Sequence, residues 1–326
     1  MAGADHRARC REAGGRSGRR RGGRHRSRPG GGDQHAAAVG LGILPGDVVY
    51  TFATSGVVFT TSREPVFDLN GMVDGVADMT GGYLPLVSTL NAARVTDTFA
   101  RILGVDHDGL AKLALDAPPA SSLVLAAFLD GERKPNRPGA RGILAGLTAA
   151  TTREDLARAA VEGVILGLLS GEAHLNAAGV DTSGRLIATG GGARSQAYTQ
   201  LLADLTGREV FVADAPEASA RGACVQAAAV ASGQPIQDVL RAWTPATRVV
   251  ATPRPGTEAA AGKLRRGRPR LKAKVDAAAL LTTVGVDGGV NEANLSGYLH
   301  AGARYIVSGR ALFTDSLTDG ALTKGI

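Results

Sequence analysis

Asp33 is preceded by three glycines, Gly30-Gly31-Gly32, and followed by an Ala-rich run, Gln34–Leu41. Glycines let a backbone come close to a ligand, and the free amides at the start of a helix attract anions. Downstream, Thr54-Ser55-Gly56 separates two β-rich stretches, Asp47–Ala53 and Val57–Ser62. That pattern predicts a hairpin whose tight turn leaves amides facing a phosphate. An acid beside a phosphate turn points to phosphoryl transfer, with Asp33 accepting a hydroxyl proton. Each feature also has a plainer reading, an N-capping Asp and an ordinary hairpin. A third glycine cluster, Gly190-Gly191-Gly192, ends a short predicted strand, Arg185–Thr189. In open α/β sheets, ligands bind at the carboxyl ends of strands.

The elements that must position these residues follow from periodicity. Gly71–Thr80 reads as a polar extended connection. Pro85–Leu103 carries Leu86, Leu90, Val95, Phe99 and Leu103 at helical spacing and reads as one helix ending at Gly104. Leu123–Leu129 reads as a buried strand before the charged loop DGERKPNRPGARG. Arg153–Gly179 reads as a long helix with Thr152 as its cap and Glu154 and Asp155 in its first turn. Helix 195–206, strand 209–213, helix 217–232 and a short helix ending near Trp243 complete the pattern. A hairpin with added strands, followed by βα alternation, predicts an α/β domain: a mixed sheet with helices on its faces.

Composition narrows the function classes. The chain has 326 residues, enough for about two domains. The net charge of +7 is unevenly spread. Residues 1–29 hold ten Arg against Asp5 and Glu12, and residues 259–275 hold seven Lys or Arg and no acid. These two segments carry +15, which leaves −8 on the rest of the chain. An acidic folded part argues against a nucleic-acid-binding core. Cys10 and Cys224 suit a reducing cytoplasm and provide neither a disulfide framework nor a metal site. No apolar run reaches membrane-spanning length, and the start lacks the apolar core of a signal peptide. Residues 1–29 read as a disordered basic tail, in the manner of a misread start in a GC-rich gene.

A resemblance gathers the motifs together. Gly142-Ile143-Leu144-Ala145-Gly146-Leu147, then seven residues, Asp155-Leu156 and Ala159-Ala160-Val161-Glu162, resembles the second signature of the FGGY carbohydrate kinases. The segments GGGDQ, TSG, DGERKP and TGGGARS fall in that family's order, and the likeness is greatest to its xylulokinases. It covers residues 30–245, the C-terminal, nucleotide-binding half of such a kinase. The resemblance implies an actin-like (ribonuclease H-like) fold, ATP with Mg²⁺ as cofactors and a sugar hydroxyl as acceptor. It also implies a catalytic acid at Asp33, a phosphate turn at Thr54, Ser55 and Gly56, and an adenosine loop at Gly190, Gly191, Gly192 and Ala193. Asp130 stands where relatives carry Ser before Gly131-Glu132-Arg133. The family's N-terminal half has no counterpart, so impaired turnover is expected, and a non-catalytic nucleotide-binding remnant is the alternative. A homodimer remains open.

Residues 246–274 read as a basic linker. Within it, Arg266-Gly267-Arg268-Pro269 matches an AT-hook core, a weaker DNA-binding alternative. In 275–326, Leu280–Val286 reads as a strand ending in Asp287-Gly288-Gly289, and Tyr305–Val307 as one ending in Ser308-Gly309, with a helix over Glu292–Ala301 between them. This segment is similar to the last units of the ribulose-phosphate 3-epimerases, a partial TIM-barrel fragment. That resemblance implies substrate-phosphate contacts at Asp287, Gly288, Gly289, Ser308 and Gly309. A quarter of a barrel cannot close its sheet, so no independent epimerase activity is expected.

Overall fold

A computed structural model describes residues 31–119, 123–257, 284–287 and 303–307. The elements in order are α1 (Asp33–Leu41), β1 (Val48–Phe52), β2 (Gly56–Phe59), β3 (Asp74–Ala77), β4 (Tyr83–Thr89), α2 (Ala93–Leu103) and α3 (His107–Asp116). Then come β5 (Val124–Ala126), β6 (Ile143–Ala145), α4 (Arg153–Ala177), β7 (Leu186–Thr189), a 3₁₀ turn (Gly191–Arg194) and α5 (Gln196–Thr206). The series ends with β8 (Val210–Ala213), α6 (Ala218–Ser232), α7 (Ile236–Ala242), β9 (Thr247–Ala251), β10 (Val284–Asp287) and β11 (Ala303–Val307).

Seven strands form one mixed sheet in the order β3-β4-β2-β1-β7-β8-β9. The strands β1, β7 and β8 run parallel, and every other pairing in it is antiparallel. Alternation along β1 separates two cores. Val48, Tyr50 and Phe52 face the layer built from α2, α3, α4 and α5, while Val49 joins Ala37, Ala38 and Leu41 of α1 on the opposite face. The mixed sheet with flanking helices is the expected architecture.

Helix α4 is fixed at its start by a capping box: Thr152 Oγ1 accepts from the Asp155 amide and the Asp155 carboxylate accepts from the Thr152 amide, worth about 1 kcal/mol. The helices α1 and α6 meet through glycines. A Cβ on Gly222 would lie 2.6 Å from the Ala36 carbonyl carbon, and one on Gly40 2.8 Å from the Ala218 carbonyl carbon. Only residues without a side chain allow backbones this close.

Several sequence expectations are corrected here. Pro85–Leu103 is not one helix: Tyr83–Thr89 is the strand β4, paired on both sides, and only Ala93–Leu103 is helical. Leu90, counted in the apolar stripe, is 43% exposed. The connection Gly71–Thr80 contains β3. Helix α3 was not anticipated, although Asp106 caps it by accepting from the Gly109 amide at 2.8 Å. The linker reading fails over its first residues, because Thr247–Ala251 forms the sheet's edge strand against β8. Leu123–Leu129 contributes the shorter β5, which pairs with β6 in a separate small sheet. The strands β10 and β11 pair in parallel. The basic tail 1–29, the AT-hook segment and the helix expected over Glu292–Ala301 lie outside the described residues, as do Gly288, Gly289, Ser308 and Gly309. Asp287 is the last residue of β10.

Candidate active site

The parallel trio β1, β7 and β8 sends three loops out at its carboxyl ends: Ala53–Ser55, Gly190–Arg194 and Asp214–Glu217. The first is the hairpin turn. Ala53 donates to the Ser55 carbonyl at 3.2 Å and accepts from the Ala93 amide at 3.0 Å, which pins the turn between β2 and the start of α2. Thr54 and Ser55 are exposed, and Gly56 is buried as the first residue of β2. A Cβ on Gly56 would be 2.8 Å from Thr89 Cγ2 and 3.0 Å from Leu168 Cδ2. A side chain here would have to push these two side-chain ends aside, so glycine allows the closest packing.

The second loop leans on the first. Thr51 and Thr189 are register partners at the ends of β1 and β7. Gly190 has φ +84° and ψ 178°, a conformation essentially confined to glycine. A Cβ there would sit 2.6 Å from the Phe52 carbonyl oxygen, and one on Gly192 would sit 2.6 Å from Phe52 Cβ. Gly191 faces open space, and Ala193 packs against the core. Below the loop, the Phe52 and Tyr198 rings lie 4.7 Å apart with 36° between their planes. Burial pushes the Tyr198 phenol well above its ordinary pKa. This apolar floor fixes Phe52 and, through it, both loops.

An open cleft of about 810 Å³ lies over these strand ends, within the range of small-ligand sites. Ala188, Thr189, Gly190, Gly191, Ala193 and Arg194 line one side, and Asp214–Glu217, Thr247 and Arg248 line the other. The loop Asp214–Glu217 and Arg248 were not anticipated as site residues. Their sequence signal was positional, a loop directly after a predicted strand and a residue on an unrecognised one. Thr51 Oγ1 is buried beside Thr189 with no hydrogen-bond partner.

Asp33 is placed differently from the two loops. It is the first residue of α1 and exposed, and the cap position belongs to Gly32. One carboxylate oxygen accepts from the Gln34 amide at 2.8 Å, and the Asp33 carbonyl accepts from Ser219 Oγ at 3.0 Å. Ser219 lies two residues beyond Glu217, a cleft residue. The structure thus ties Asp33 to the first turn of α6, while neither Asp33 nor Ser219 lines the cleft. None of these bonds reaches the Thr54 turn or the Gly190 loop.

The Asp130 substitution leaves its loop well bonded. Glu132 is 3% exposed and accepts from Thr89 Oγ1, from the Leu90 amide at 2.9 Å, from Asn91 Nδ2 at 3.1 Å and from the Arg133 amide at 2.7 Å. Within the signature residues 142–162, α4 carries a buried ion pair. Glu162 and Arg158 form a buried pair on α4 at 2.6 Å. Burial raises the Glu162 carboxyl above its ordinary pKa, although the Arg158 guanidinium pulls the other way.

Comparison with known proteins identifies the family and the fold. The FGGY family of carbohydrate kinases, C-terminal domain, matches residues 48–231, a span that includes both loops and excludes Asp33. The xylulose kinase of Streptomyces coelicolor is 39% identical over 215 residues, covering 66% of this chain and 43% of that protein. The gluconokinase of Bacillus subtilis is 33% identical over 198 residues, 56% of this chain and 38% of that protein. Among solved structures, xylulose kinase from Bifidobacterium adolescentis superposes with a TM-score of 0.65 at 41% identity, covering 74% of this chain and 47% of that one. Xylulose kinase from Rhodospirillum rubrum gives 0.68 at 27%, with 78% and 52% covered. The chain thus spans about half the length of the relatives it matches. Its glycine-built loops, its actin-like mixed sheet and the match over 48–231 agree: the chain belongs to the FGGY family of carbohydrate kinases.

Proposed function

We propose that the cleft binds Mg·ATP and that the chain takes part in phosphoryl transfer to a sugar hydroxyl, with D-xylulose as the acceptor. The observation that carries this reading is the contact of Gly190 with the Phe52 backbone, because it sets two anion- and nucleotide-type loops side by side. The residues present suit such a ligand. The exposed turn Thr54-Ser55 offers amides to phosphate oxygens, and the Gly191 backbone, with open space beside it, leaves room for a flat base and ribose. With Mg·ATP in the cleft, the Mg²⁺ would supply neutralising charge to the phosphates. In a loose phosphoryl-transfer transition state the protein mainly positions and neutralises. Thr54, Ser55 and the Gly190 loop hold the donor, and Asp33 orients the sugar hydroxyl and takes its proton.

The sugar class rests on the relatives named xylulose kinase, with the gluconokinases as the nearest other class. Among the described residues no helix is long and apolar enough to cross a membrane, and the reading places the reaction in the cytoplasm. Calorimetric titration with Mg·ATP and Mg·ADP tests the binding. Micromolar dissociation constants are expected, and no detectable heat with either nucleotide overturns it. A coupled assay of ADP release with D-xylulose and D-gluconate then tests the acceptor.

A further inference from the structure

We infer that Glu132 is a positioning residue for the phosphate turn, acting through the segment 89–93; this rests on the turn's assignment above. The loop that carries Glu132 is itself rigid. The Gly131 amide donates to the Ala140 carbonyl at 3.1 Å, and Glu132 and Arg137 exchange backbone hydrogen bonds at 2.9 and 2.7 Å. From this base, Glu132 takes four donors with one carboxylate, each oxygen accepting two. Oε2 accepts from Thr89 Oγ1 and Asn91 Nδ2, and Oε1 from the Leu90 and Arg133 amides. Asn91 clasps the same loop twice more, donating to the Gly131 carbonyl at 2.8 Å and accepting from the Leu129 amide at 3.0 Å.

The segment held in this way is the back wall of the turn. Thr89 pairs with Gly56, and Thr89 Cγ2 and Ala92 Cβ are two of the three atoms nearest to where a Gly56 Cβ would stand. Two residues beyond Asn91, the Ala93 amide donates to Ala53, the first residue of the turn. A short series of bonds therefore runs from the buried carboxylate, through Thr89 and Asn91, to the peptide before Thr54. A carboxylate with every lone pair directed at a donor is stiffer than any neutral side chain could be at this position. Glu132 is buried at 3% exposure in a loop otherwise rich in charge.

Glu132→Gln keeps the shape but turns one oxygen into an NH₂ group that must face two donors. The test compares Mg·ATP with adenosine, which lacks phosphates, by calorimetry on the full chain. At least tenfold weaker Mg·ATP binding is expected, with adenosine affinity unchanged and faster hydrogen exchange at the Ala93 amide. Equal loss of both ligands marks a general structural role and overturns the inference, as does unaltered Mg·ATP binding. If the wild-type chain binds neither ligand, it is the nucleotide reading that fails. Should Glu132→Gln not fold, Thr89→Val removes one donor at nearly constant volume. It is expected to weaken Mg·ATP about threefold and to spare adenosine, and unchanged Mg·ATP affinity there overturns the inference.

Discussion

Gly222→Ala replaces the smallest residue in a helix with the best helix former, so propensity and packing pull in opposite directions. Propensity favours the alanine by about 1 kcal/mol. Packing opposes it. A Cβ at 222 overlaps the Ala36 carbonyl oxygen and would stand 2.6 Å from that carbon and 3.0 Å from Ala36 Cα. These are backbone atoms of α1, whose Ala36, Ala37 and Ala38 are all buried, so no rotamer change can relieve the contact. The helices must part by roughly 1 Å, which forfeits a quarter to a half of each dispersion contact across the crossing. Overpacking of this kind costs about 3 kcal/mol at its upper range. The net loss is about 2 kcal/mol, or a fall in Tm of about 4–8 °C for a domain of this size.

Thermal unfolding followed by circular dichroism measures this, with Gly167→Ala as the control. Gly167 is also in a helix, α4, but no atom lies within 4 Å of its Cβ position. There propensity acts alone, and Tm is expected to rise by about 2–4 °C. If Gly222→Ala melts at or above the wild-type temperature, the close crossing of α1 and α6 is not as described. The bond from Ser219 to the Asp33 carbonyl then loses its support.

Three further outcomes follow from the same geometry. Gly190→Ala forces a side chain into a glycine-only conformation against Phe52, a strain of about 1–3 kcal/mol; calorimetry should show at least tenfold weaker Mg·ATP binding, and wild-type affinity would refute the loop's role. Arg158→Met strands Glu162 in a site where the paired side chains are 3% and 5% exposed, at a cost of about 3–5 kcal/mol near neutral pH. The Glu162 carboxyl already titrates above its ordinary range, so its contribution to stability is full below the unfolded-state pKa and is lost as pH rises through the folded one. Removing Arg158 raises that folded pKa further, so the Tm deficit against wild type should be larger at pH 7 than at pH 5, and an equal deficit at both would refute the linkage. Under the proposed reading, Asp33→Asn in a complete kinase should lower D-xylulose-dependent ADP release by several orders of magnitude while Mg·ATP affinity stays within about twofold, and a variant keeping more than about a tenth of the rate would remove Asp33 as the base.

Residues whose role is set by their own backbone were legible in the sequence, and residues whose role is set by distant partners were not. Gly190 belongs to the first kind: a glycine run after a predicted strand signals a special conformation, and φ +84° is what the structure shows. The Thr54-Ser55-Gly56 turn and the Thr152 cap are local in the same way. The strand β4 was missed because Leu86 and Leu90 happen to extend the helical stripe of α2. Pairing with β2 and β3 outweighs that periodicity, as long-range hydrogen bonding does for strands generally. The edge strand β9 was missed because a one-sided strand such as Thr-Arg-Val-Val-Ala leaves Arg248 and Val249 exposed and looks like linker.

Glu132 was the least legible of all. Within DGERKP it looks like one more charge on a surface loop, and only its four donors, three of them on the segment 89–91, explain its burial. Asp33 is intermediate. Its residue type and the glycines before it were legible, and its place at the start of α1 followed. Its bond to Ser219 did not, because that contact depends on the crossing of α1 with α6. The catalytic reading of Asp33 therefore depends on two glycines, Gly40 and Gly222, that touch no ligand. Moving that crossing by 1 Å would move the acid without changing it, so the Gly222→Ala variant should lose turnover more steeply than it loses Mg·ATP affinity.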